Sequence, residues 1–159
     1  MDSDPAVERT PSPVEPVSQA PVYVVGVDGS STSWDAFAWA AGAAGRSFGK
    51  LVVVYVMPFV SPVVAYGVPY DYAGAETIRE DAAAELRREA EQRALEIGVT
   101  MSFVCTYGDA RKSLPEVARA VQATVIVVGK STKLWHYFTG SLGHRLTCRK
   151  DAPVVVVVP

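Results

Sequence analysis

Two cysteines in 159 residues leave no disulfide framework to read. Cys105 and Cys148 form no C-x-x-C pair and have no histidine at ligand spacing, which argues against a zinc site or a redox dithiol. Each lies in an apolar or amphipathic run, the setting expected of a reduced, buried thiol. Positive charge is not in excess: the formal net charge of −2 excludes a broadly basic nucleic-acid binder. No apolar run approaches the ~18–20 residues that a membrane span needs. The start, Met1-Asp2-Ser3-Asp4, is acidic and lacks the basic and apolar regions of a secretory leader. The expectation is a cytoplasmic chain that meets neither nucleic acid nor membrane.

What is present divides unevenly. Residues 1–20 carry Pro5, Pro11, Pro13 and Pro16 among four carboxylates, with no apolar periodicity. Such a stretch buries too little to offset its ordering entropy and reads as a disordered tail, a leader or a docking segment. Residues 21–159 read as one domain, large enough for a core without disulfides.

In this domain β-branched runs alternate with helical ones. Val22 to Val27, Leu51 to Val56, Val99 to Thr106, Val125 to Val128 and Val154 to Val158 read as strands buried on both faces. The alanine-rich stretch from Asp35 to Ser47 reads as a helix, as does the charge-laced stretch from Glu76 to Ile97. Ser113-Leu114-Pro115-Glu116 has the form of a capping box opening a short helix to Val121. A last helix is expected from Ser141 to about Arg149. Pro58 to Gly74, with three prolines and two glycines, reads as a long loop. This β-α order predicts an open parallel sheet with helices on both faces.

Open sheets of this kind bind ligands beyond the carboxyl ends of their strands. Val127-Val128-Gly129-Lys130-Ser131-Thr132 ends a strand there and resembles the close of a Walker A loop. That loop needs a glycine five residues before Gly129, and Thr124 stands in that place. The G-x-G-x-x-G dinucleotide fingerprint is also absent. Anion binding keeps another route. Gly140-Ser141 precedes a helix whose free N–H groups favour an anion, and from Val117 to Lys150 there are six Lys/Arg and no carboxylate. Ser141 can cap that helix or donate to a phosphate. Lys130 and Lys133 can line an anion pocket or a solvated face. Asp28, directly after the first strand, can cap the next helix or accept a hydrogen bond from a base or ribose. Trp135-His136-Tyr137-Phe138 can cover a base or pack on the sheet edge. No nucleophile motif or metal cluster appears, so no catalytic residue is assigned.

Three segments, in this order, resemble the universal stress protein family over Val22 to Pro159: Val25-Gly26-Val27-Asp28-Gly29-Ser30-Ser31, Ala123 to Gly129, and Gly140-Ser141 followed by Ala152-Pro153-Val154-Val155-Val156-Val157. The resemblance implies a five-stranded parallel sheet ordered 3-2-1-4-5, a homodimer through the last strand, Val154–Val158, and an adenine nucleotide bound without clear turnover. It places Asp28 and the backbone of Val56 at the adenine and ribose end, and Gly129, Gly140, Ser141 and Leu142 along the phosphates. ATP is the implied ligand, with AMP or cyclic AMP as relatives, and magnesium would enter only with bound ATP.

The chain departs from the family's G-x-x-G, nine residues, G-[ST] pattern. Thr132 occupies the second glycine position, and seven residues separate it from Gly140. Lys130, Ser131 and Lys133 then supply charge and hydroxyl donors in place of a close backbone approach. Two expectations follow: a stress-associated adenine-nucleotide sensor, or a module of the same fold that binds no nucleotide and acts through a protein partner.

Overall fold

The computed structural model describes residues 20–57, 72–130 and 153–159. The tail before Ala20, the loop expected after Met57, the helix expected from Ser141, the cluster from Trp135 to Phe138, and Cys148 lie outside the described residues.

Five parallel strands are ordered β3-β2-β1-β4-β5, as the resemblance implied. β1 (Val22–Val27) occupies the centre, with β2 (Lys50–Met57) and β3 (Met101–Tyr107) on one side and β4 (Val125–Gly129) and β5 (Val154–Val158) on the other. Their β-branched content has a plain cause, since alternate residues of the central strands bury on opposite faces. Val25, Val27, Leu51, Val53 and Val127 enter one core, together with Phe37 and the alanines of α1 (Ser31–Ser47) and Ala90 and Ala94 of α2 (Tyr72–Ile97). Val24, Val52, Val54, Ile126 and Val128 enter the other, against Leu114 and Ala118 of α3 (Ala110–Ala120).

The two helices of the first face differ in what they bring. Ala36, Ala40, Ala41 and Ala44 let α1 lie close to the strands, and Trp34 meets Phe37 edge-on at 5.7 Å. α2 buries little beyond Ala90 and Ala94. It holds its exposed sides with one-turn ion pairs such as Arg87–Glu91 and Arg93–Glu89, each worth only ~0.3–0.5 kcal/mol. Arg93 also lies 4.5 Å above the Trp34 ring and so ties the two helices together.

Three local expectations are corrected. α1 starts at Ser31, four residues before Asp35, because Ser30 rather than a later residue caps it. The Ser113 pattern is not the start of α3. Asp109 caps that helix by accepting from the Arg111 amide at 3.0 Å, and this adds a turn before Ser113. Pro115 therefore sits inside the helix, where it removes one backbone bond. Cys105 is exposed, not buried, because β3 is an edge strand.

Gly129 brings the sheet and α1 together. A Cβ built on it would strike the Thr32 carbonyl and stand 2.8 Å from the Ser33 amide nitrogen. Only a residue without a side chain lets the end of β4 reach the first turn of α1.

Candidate functional site

The order β3-β2-β1-β4-β5 reverses direction between β1 and β4, so the carboxyl ends of these two strands flank the crevice that such sheets use for ligands. Val25 pairs with Val127, so Val27 and Gly129 end their strands at one level. Asp28 and Lys130 then leave neighbouring strands that run about 5 Å apart. Two of the sequence-derived candidates, far apart in the chain, thus come to the same rim.

Asp28 does not cap α1. The cap is Ser30, whose hydroxyl oxygen accepts from the Ser33 amide at 3.3 Å. Asp28 instead holds the cap: its Oδ1 accepts from the Ser30 hydroxyl at 2.6 Å and from the Ser30 amide at 3.0 Å. The Ser33 hydroxyl completes the turn, accepting from the Asp28 amide at 3.3 Å and donating to the Ser30 carbonyl at 2.8 Å. Gly29 makes the turn feasible at φ 83°, with Leu86 of α2 packed over it. Both Ser30 bonds go to Oδ1, and Asp28 is exposed.

Partial burial pushes the Asp28 carboxyl up. The Ser30 hydroxyl and amide, with the Ser33 hydroxyl, outweigh that effect and hold it below the usual carboxylate range. The group is therefore ionised at neutral pH.

Val56 lies where β2 outruns β1. The β1–β2 ladder ends at Val27 with Tyr55, while β2 continues to pair with β3 through Val56–Thr106 and Met57–Tyr107. The Met57 carbonyl accepts from the Gly108 amide at 2.9 Å, on the β3 side. Carbonyls alternate along a strand, so the Val56 carbonyl points to the β1 side, past the last residue of β1 in that ladder. It is a backbone acceptor at the rim.

Lys130 enters the rim with its backbone fixed, its amide donating to the Val158 carbonyl at 2.7 Å. The close approach at Gly129 sets the first turn of α1 beside it, where helix N–H groups favour negative charge. Ser131, Thr132, Lys133, Gly140, Ser141 and Leu142 lie outside the described residues.

Tyr55 is a rim residue that the sequence did not reveal. In register with Val27 on one side and Cys105 on the other, it is half-buried beside Asp28. Burial pushes its phenol up, helped by the Cys105 thiol and the Asp28 carboxylate. In a continuous run such as Val52-Val53-Val54-Tyr55-Val56, a tyrosine reads as core. Only the register places it at the strand end.

The residues present fit a nucleoside phosphate. An exposed carboxylate and a backbone carbonyl stand on the β1–β2 side, and a lysine with a helix N-terminus stands on the β4 side.

The sequence matches the model of the universal stress protein family over residues 23–158. No curated protein matches it. Among solved structures, a universal stress family protein from Burkholderia pseudomallei is 26% identical, with TM-score 0.66, covering 91% of this chain and 99% of that one. A universal stress protein solved in complex with cAMP is 24% identical, with TM-score 0.62, covering 87% and 97%. The Archaeoglobus fulgidus protein in complex with dAMP is 21% identical, with TM-score 0.59, covering 89% and 98%.

The environment of Asp28 predicts a pH signature. Its folded value lies below the unfolded one, so its contribution to stability is full above the unfolded value of ~3.9 and is lost as pH falls through the folded value. In chemical unfolding, the stability gap between wild type and Asp28→Asn should be full near pH ~6 and shrink as the pH falls below ~3.9 toward the folded value. A gap of constant size would contradict the assignment.

Proposed function

The chain belongs to the universal stress protein family, and from that premise we propose that it is a stress-response protein that binds an adenine nucleotide as a sensor or regulator. The observation that carries this reading is the polarity of the rim, with the ionised Asp28 and the Val56 carbonyl on one side and Lys130 with the first turn of α1 on the other. Asp28 accepts from a ribose hydroxyl or the base. The Val56 carbonyl accepts from an exocyclic amine, which adenine has at its six position and guanine replaces with a carbonyl oxygen. Lys130 and Gly129 face the phosphates, joined by Ser131, Thr132, Lys133, Gly140, Ser141 and Leu142.

The cAMP and dAMP complexes of related proteins support an adenosine phosphate as the ligand class. ATP, AMP and cyclic AMP all belong to that class, and magnesium would accompany ATP alone. The protein acts by binding and release rather than turnover, in the cytoplasm. No helix among the described residues is long and apolar enough to cross a membrane.

A second reading has a specific observation behind it. Thr132 stands at the family's second glycine and the loop to Gly140 is short, which favours a module that binds no nucleotide and works through a protein partner.

Displacement of a fluorescent adenine nucleotide separates the two. ATP, AMP or cyclic AMP should compete, GTP should compete at least about tenfold less well, and Asp28→Ala should weaken binding by about tenfold, or ~1.4 kcal/mol. Affinity unchanged in both Asp28→Ala and Ser141→Ala would contradict the site. Absence of binding by all three adenine nucleotides would select the second reading.

A homodimer through β5 is the other part of the proposal. This strand is uncharged and ends the sheet, with Val154 61% exposed. Antiparallel pairing with its own copy would cover that edge. Sedimentation should give two copies, and a monomer at high concentration would contradict the pairing.

A further inference from the structure

Phe48 breaks two local rules at once. As the C-cap of α1 it adopts the left-handed conformation (φ 51°, ψ 34°), a position usually given to glycine or asparagine. Its ring is also 91% exposed, more than any other large apolar side chain among the described residues. A residue that strains the backbone and gains no packing for it marks a surface with a use.

The surroundings say what kind. A Cβ built on Gly45, one turn earlier, would lie 3.2 Å from Val99, so the end of α1 adjoins the α2–β3 connection, where Ile97 is 45% exposed. Arg46 and Lys50 flank Phe48 and are both exposed, with no carboxylate between them. The neighbouring Glu96 is engaged by the Gln92 side chain at 3.1 Å. The patch is an exposed aromatic ring with an exposed cation two residues away on either side in the chain, the Arg46 guanidinium reaching back toward Gly42.

The chain itself supplies a matching segment at this place. The Pro21 carbonyl accepts from the Lys50 amide at 2.8 Å and lies against Gly49. Residues 1–19 therefore join the domain directly beside Phe48. They carry Asp2, Asp4, Glu8 and Glu15 against Arg9, four negative and one positive, hence a net of −3. Val14-Glu15-Pro16-Val17 sets a carboxylate among apolar residues and a proline, the residue type that aromatic surfaces accept in extended chains. From Ala20 back to Glu15 is ~17 Å of extended chain, which spans the patch. A tether this short gives an effective concentration on the order of millimolar.

We propose that the N-terminal segment docks on this pole of its own domain, with Val14 to Val17 against Phe48 and Glu15 facing Arg46 and Lys50. The pole lies at the amino end of β2, opposite the rim that holds Asp28, so the docking is independent of the nucleotide reading.

A protease that cuts after small aliphatic residues, with the Val17–Ser18 bond as the readout, tests the proposal on the full chain. Wild type is compared with Phe48→Gly, which suits the left-handed position, and with the double variant Arg46→Glu/Lys50→Glu. Cleavage of the Val17–Ser18 bond should be about fivefold faster in both variants than in wild type, because cleavage follows the released fraction. Wild type at ~1 M salt should approach the double variant. Equal rates in all three proteins would overturn the proposal. Protection that grows with protein concentration would also overturn it, since the patch would then be holding a second copy.

Discussion

The contact on which the site depends is the approach of Gly129 to the backbone of Thr32 and Ser33. It sets the end of β4 against the first turn of α1, and that turn is itself fixed by Asp28 through Ser30. One point therefore joins two strand ends and a helix N-terminus. The family resemblance suggested that Gly129 lies along the phosphates. Its lack of a side chain has a nearer cause, for no Cβ fits between strand and helix. The glycine is thus required by the fold itself, whatever it does for a ligand.

Much of the architecture was legible because the strands are so strongly β-branched. Val22 to Val27 and Val125 to Gly129 bury on both faces, and nothing but a sheet with two covered sides accommodates them. The strand order came from the resemblance, and the pairings agree with it. What local pattern could not show was position within the sheet. Cys105 sits in an apolar run and reads as buried, yet β3 is an edge and the residue is exposed. Tyr55 reads as core, yet register sets it at the rim. The Ser113 pattern is a genuine capping signal that lost to Asp109, whose carboxylate engages both the amide and the side chain of Arg111 one turn earlier. Asp28 was read as either a cap or a ligand acceptor, and the structure divides these roles. Ser30 caps the helix and Asp28 orients Ser30.

The rim that results is electrically asymmetric in the way a nucleoside phosphate is. The Asp28 carboxylate and the Val56 carbonyl are acceptors on one side, and Lys130 leaves β4 on the other. In the proposed complex, charge from Lys130 would compensate in kind for the departure at Thr132. The amino-terminal pole has the opposite design. There the backbone is strained at Phe48, the ring is bare, and the Lys50 amide donates to the Pro21 carbonyl where the N-terminal segment joins. The sheet separates the two ends, so a ligand at one need not disturb the other.

Amide chemical-shift mapping during an ATP titration addresses the central claim directly. The largest changes should fall on Asp28 to Ser30, Val56 and Lys130, with the amides near Phe48 unmoved. Saturable shifts centred away from these strand ends, or no shifts at all, would contradict the placement of a nucleotide at the β1–β4 crevice.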